Sequence, residues 1–127
     1  MNSADHPFDS LNRWWTMPED RLRHDLSETD LAMMKEIVAL LVGRPSAEDY
    51  QVTASQFPKL VQEMRMLYEQ GSRSLGEAII KASECIEVGH SENAISIYSV
   101  FINLSPSPFY KRIAEAQRAK LLGSPAD

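Results

Sequence analysis

The chain has one cysteine, Cys85, in 127 residues, so no intrachain disulfide can form. That suits a reducing compartment. Long hydrophobic runs are missing too: the longest, Ile37 to Val42, is far too short to span a bilayer. The first residues, Met1 to Pro7, are polar and lack the apolar stretch of a secretory signal. These absences point to a soluble cytoplasmic protein. Histidine is scarce, and His6, His24 and His90 each stand apart from any other histidine or cysteine at metal-ligand spacing. No metal is expected. Glycine is also sparse. The Gly71-Ser72-Arg73-Ser74 segment lacks the lysine and the preceding strand of a phosphate-binding loop. Basic residues are outnumbered, 13 Lys and Arg against 18 Asp and Glu, for a net charge of -5. Nucleic acid and anionic membranes are therefore poor partners, because both are bound mainly through Lys and Arg.

What remains is ordinary globular composition, 43% hydrophobic and 24% charged. Its length fits one domain, expected over residues 7–122, with a disordered start at 1–6 and a flexible tail at 123–127. Periodicity predicts an all-α fold of about five helices. Phe8, Leu11, Trp14 and Trp15 mark a short first helix that ends near Met17-Pro18. The charged stretch from Pro18 to Asp25 reads as a loop or a further helical turn. Ser27 caps the next helix, with Glu28 and Asp30 in its first turn. Leu31, Met34, Ile37, Val38 and Leu41 form its apolar stripe, and Gly43 and Pro45 stop it.

Ser46 to Asp49 reads as the opening of a third short helix. The alternation of Tyr50, Val52 and Ala54 allows a short strand. From Phe57-Pro58 an apolar period runs unbroken through Met64, Gly71, Leu75, Ala82 and Ile86, which predicts one long helix over 58–88. At Gly71 either a kink or the close approach of another helix would explain the glycine. After a turn at Gly89-His90, Ser91 is read as the cap of a helix whose inward residues are Ala94, Ile95, Tyr98, Phe101 and Leu104. Ser105 to Pro108 ends it. A last helix follows, with Phe109, Ile113, Ala116 or Gln117, and Leu121 expected inward.

The segment from Ala82 to Pro106 resembles a tetratricopeptide-repeat hairpin. Ala82, Cys85, Gly89, Ala94, Tyr98, Phe101 and Pro106 hold the register, with Phe101 where the repeat prefers alanine. The resemblance places a TPR-like hairpin at about 75–106, packed by the N- and C-terminal helices. No second copy lies 34 residues away, so an array is not expected.

Over roughly Leu11 to Leu121 the chain also resembles the DUSAM domain, a family of paralogous bacterial proteins without an assigned activity. The resemblance is carried by Gly71-Ser72-Arg73-Ser74-Leu75, by Gly89, and most specifically by Pro108-Phe109-Tyr110-Lys111-Arg112-Ile113-Ala114-Glu115-Ala116-Gln117. Leu26-Ser27 is similar too. His90, in place of an acidic residue, and the Ser/Pro-rich stretch 105–107 depart from the pattern. The resemblance implies an all-helical domain and brings no catalytic residues.

No set of residues has the spacing of an active site, so no enzyme and no cofactor are expected. Cys85 reads as a buried structural thiol, and Glu84 and Glu87 as solvated carboxylates on a helix face. Trp14 and Trp15 point about 100° apart on a helix, so burying one turns the other outward. The same holds for Phe109 and Tyr110, beside the basic pair Lys111 and Arg112. These six residues are the candidate partner-binding set, since aromatic and arginine side chains dominate interface energetics. Met33, Met34, Met64 and Met66 exceed what a core this size needs, and such side chains also suit adaptable surfaces.

The first expectation for function is a protein-interaction module, an adaptor or regulator. The second is an antidote that neutralises a toxin, since acidity steers association with a basic partner. A third is a self-associating structural protein, a homodimer that buries both tryptophans and the methionine stripe.

Overall fold

A computed structural model describes residues 6–123. The expected disorder of residues 1–5 and the tail at 124–127 lie outside the described residues. The fold is all-α, and among the described residues there is no strand. In chain order the helices are α1 (Pro7–Trp15), α2 (Glu19–His24), α3 (Glu28–Val42), α4 (Arg44–Ala47), α5 (Phe57–Glu87), α6 (Ser91–Leu104) and α7 (Pro108–Leu121). The chain divides into two compact units, one through Tyr68 and one from Glu69, so the boundary falls within α5.

The first unit is closed by large side chains. His6 caps α1: its Nδ1 accepts the Phe8 N–H at 3.2 Å, and its own N–H donates to Asp9 at 3.2 Å. Pro7 takes the first helical position, where a missing N–H costs nothing. The inner face of α1 presents Phe8, Leu11 and Trp14, all buried, and α1 packs on α3. Phe8 rests on Tyr68 and Trp14 meets Phe57 edge-on, with ring centroids 4.7 and 4.9 Å apart. The Pro18 to Asp25 stretch forms α2, held by an exposed Arg23–Glu19 pair at 3.0 Å and by burial of Leu22. Ser27 caps α3 reciprocally with Asp30, at 3.2 and 3.0 Å. The α3 stripe buries Met34, Ile37, Val38 and Leu41, and the helix ends at Gly43.

Two local expectations fail in this unit. The third short helix begins at Arg44, not at Ser46, because Pro45 is tolerated in a first turn. The segment around Tyr50, Val52 and Ala54 is not a strand. It has no neighbouring strand to satisfy its backbone. Turn hydrogen bonds do so in part, with Tyr50 N–H to the Ala47 carbonyl at 3.1 Å and Gln56 N–H to the Thr53 carbonyl at 3.2 Å.

The second unit is closed by small side chains and two tyrosines. Its buried residues are Leu75, Ala78 and Ala82 on α5, Ala94 and Tyr98 on α6, Ser107, and Tyr110 and Ala114 on α7. α6 packs on α7, and Arg118 Nη1 donates to Ser99 Oγ at 3.2 Å between them. The turn after α5 is a Schellman motif. The His90 N–H reaches the Cys85 carbonyl at 2.8 Å and the Gly89 N–H reaches the Ile86 carbonyl at 3.0 Å. Gly89 takes φ +82°, where a Cβ would be strained.

Gly71 is explained by close approach. A Cβ built there would lie 2.6 Å from Cδ2 of Tyr110, closer than real Cβ contacts come. The neighbouring Ser72 hydroxyl shares a 2.8 Å hydrogen bond with the Tyr110 hydroxyl. Gly76 has no such neighbour; a Cβ there would meet open space.

Several inward assignments are corrected here. α6 is capped at His90, with Ser91 already its first helical residue and no side-chain cap bond. Leu104 is exposed, because it lies about 120° around the helix from the buried Tyr98. On α7 the buried face is one residue out of phase with the expectation: Tyr110 and Ala114 point inward, while Phe109 and Ile113 are half-buried and Ala116 is exposed. The Ser107 hydroxyl sets that phase by accepting the Tyr110 N–H at 3.3 Å as Tyr110 docks on Gly71. Cys85 is half-buried, not buried.

Candidate interaction surface

The six candidate partner-binding residues divide by their place in the helices. Trp14 and Tyr110 are core residues of their units. Trp15, one residue on from Trp14, is exposed, with the Arg65 guanidinium 5.9 Å from its ring and 5.6 Å from that of Tyr68. These are distances at which a cation is attracted to an aromatic face. Phe109 is half-buried and meets Tyr110 edge-on at 5.1 Å. Lys111 is half-buried and Arg112 exposed. The two tryptophans belong to the first unit and the other four residues to the second. Trp14 is covered by Phe57. Of the methionines, Met34 and Met64 are core, Met33 is half-buried and Met66 is exposed.

Sequence reasoning missed a different surface. The outward face of the second half of α5 carries Glu77, Ile80, Glu84 and Glu87, which recur at helical spacing. Ile80 is 61% exposed, and Val88 just beyond the helix is 69% exposed. Ile86 is exposed as well, although the apolar period placed it inward. All three carboxylates are exposed, as is Glu92 at the start of α6; Arg73, one turn before Glu77, and Lys81 are exposed bases on the same stretch. The apolar side chains thus stand in an acidic frame. The signal in the sequence was an apolar residue opposite the Leu75, Ala78, Ala82 stripe, which a search for a single period overlooks.

Ionisable groups with a displaced equilibrium lie elsewhere. The Tyr50 hydroxyl donates to Glu63 at 3.0 Å. Burial, then that bond, then the charges of Glu63 and Asp49 hold its phenol above the ordinary value of 10.0. Burial alone raises Tyr98 in the same direction. Among the described residues, no three His, Cys, Asp or Glu side chains are placed to share a metal ion. Among them, too, no helix is long and apolar enough to cross a membrane.

Comparison with protein-family models, with curated proteins and with solved structures finds no match to this chain.

Proposed function

We propose that the chain is a non-enzymatic protein-interaction module, an adaptor or regulator acting in the cytoplasm. The observation that carries this reading is the exposure of Ile80 and Val88 inside the acidic frame of Glu77, Glu84 and Glu87. Exposed branched aliphatic side chains leave apolar area in water, at roughly 25 cal/mol per Å2, and a partner's surface would recover it. The acids around them would steer a basic partner and fix its orientation.

The test is a tagged pull-down from the native cell at native expression, read by quantitative mass spectrometry. One partner at near-equal amount is expected, and it should be lost from an Ile80→Ser/Val88→Ser double variant. Recovery of the chain alone would overturn the reading.

The same acidic frame favours a second reading, an antidote to a basic toxin. It is distinguished by expressing the recovered partner alone: growth arrest relieved by this chain would select the antidote over the adaptor. A DUSAM-type domain remains part of the proposal. Two of the segments that carry the resemblance, 71–75 and 108–117, meet where Tyr110 covers Gly71.

A further inference from the structure

A helix ends in carbonyls without intrahelical partners and so carries partial negative charge at its last turn, where basic side chains are the stabilising choice. α1 follows that rule with Arg13, and α7 with Arg118 and Lys120. α5 breaks it: its last turn holds no base and carries Glu84 and Glu87. Both are exposed, and among the described residues neither takes part in an ion pair. The sequence has no Lys or Arg between Lys81 and Lys111 to offset them. Two aliphatic side chains share their side of the helix at steps of four, Ile80 before Glu84 and Val88 after it, 61% and 69% exposed. The Val88 N–H still reaches the Glu84 carbonyl, at 3.4 Å, so the helical turn carries through it.

We infer that this end of α5 docks a basic, aliphatic segment of a partner protein, with a Lys or Arg head set over Glu84 and Glu87 and its aliphatic surroundings laid on Ile80 and Val88. The inference rests on the proposed interaction role and names the chemistry of the segment that fills the site. Charge selects the occupant. An acidic segment would meet the carboxylates and the helix end with the same sign. A neutral one would take both carboxylates out of water with no counter-charge, which costs free energy. A Lys or Arg answers the carboxylates and the terminal carbonyls together, and its hydrocarbon stem covers apolar surface while its head stays on the charge. The position along the face follows from the same argument. Toward Glu77 the exposed Arg73 and Lys81 weaken the negative potential, so the partner's cation is drawn to the 84–88 end. The acids have a cost in the free chain, since they stand at the helix end that repels them.

The test titrates the isotope-labelled full chain with a synthetic amphipathic peptide of Lys and Leu at helical spacing, followed by amide chemical shifts. Shifts should centre on residues 80–92, and the same peptide with Glu in place of Lys should not bind. Glu84→Gln/Glu87→Gln should weaken binding about tenfold, and added salt should weaken the parent's binding in the same direction. Glu28→Gln/Glu36→Gln, at exposed acids of α3, should leave the dissociation constant unchanged. A structural role is separated by a thermal melt. Removing two acids from the negative end of α5 should raise the midpoint of Glu84→Gln/Glu87→Gln while its binding falls. Shifts centred on another acidic surface would overturn the inference, as would an unchanged affinity or a lowered midpoint. In the pull-down, a partner held equally by the parent and by Glu84→Gln/Glu87→Gln would overturn this inference and leave the proposed function standing. Recovery of the chain alone would overturn both.

Discussion

The two units bury different kinds of side chain. Among the described residues, the eight largest fully buried ones, including Phe57, Leu11, Met34 and Ile37, all belong to the first unit. The second closes on Ala78, Ala82, Ala94 and Ala114, with Leu75, Tyr98 and Tyr110. Conversely, among the described residues, six of the eight large apolar side chains left exposed are in the second unit: Ile80, Ile86, Val88, Val100, Leu104 and Leu122. Alanine on a buried face brings helix backbones close, but it removes little apolar area from water. The first unit therefore uses its large side chains for its own stability, while the second holds its helices together with small ones and turns large ones outward.

The sharpest test of the contrast is Phe57→Ala. It empties a fully buried site against Trp14 and should cost about 3–5 kcal/mol in chemical denaturation. Serine at Leu104, an exposed position, should stay within about 0.5 kcal/mol of the parent. Comparable losses at the two sites would break the distinction.

Close helix approach in the second unit is probed at Gly71. Alanine is the better helix former, yet Gly71→Ala drives a methyl into the Tyr110 ring and should cost about 1–3 kcal/mol. A thermal melt at or above the parent value would show that Tyr110 yields. Ser107→Ala removes the acceptor for the Tyr110 N–H and should cost about 1 kcal/mol. The fall should match that of Ser27→Ala on α3 if both caps serve alike.

Gly76→Ala should have the opposite sign to Gly71→Ala. Its methyl meets open space, and the helix gains about 0.5–1 kcal/mol. A pair of glycines five residues apart with opposite responses would sharpen the picture of α5 as packed at one point and open at the other.

The smallest effect is expected at alkaline pH. Tyr50 has a raised pKa in the folded state, so its neutral form is favoured there. Its stabilising contribution is complete below the unfolded value and is lost as pH rises through the folded one. Tyr50→Phe should flatten that part of the alkaline loss of stability. Denaturation curves collected from neutral pH to above the ordinary tyrosine value would show it.

Local signals in the sequence determined the helical class, the starts of α3 and α7, the stop at Gly43, and the turn at Gly89. Each depends on neighbours within a few residues: a side-chain oxygen reaching a backbone N–H, a glycine entering φ above zero, or a proline in a first turn. Periodicity likewise gave the length of α5. Only tertiary structure decided which way each helix turned. Trp14 or Trp15, and Phe109 or Tyr110, are equivalent by spacing. The choice was made by Phe57, which covers Trp14, and by Gly71, which admits Tyr110. The outward setting of Ile80, Val100 and Leu104 was hidden for the same reason. A helix of mostly apolar side chains offers several faces to burial, and the neighbour that packs against one of them lies far away in sequence.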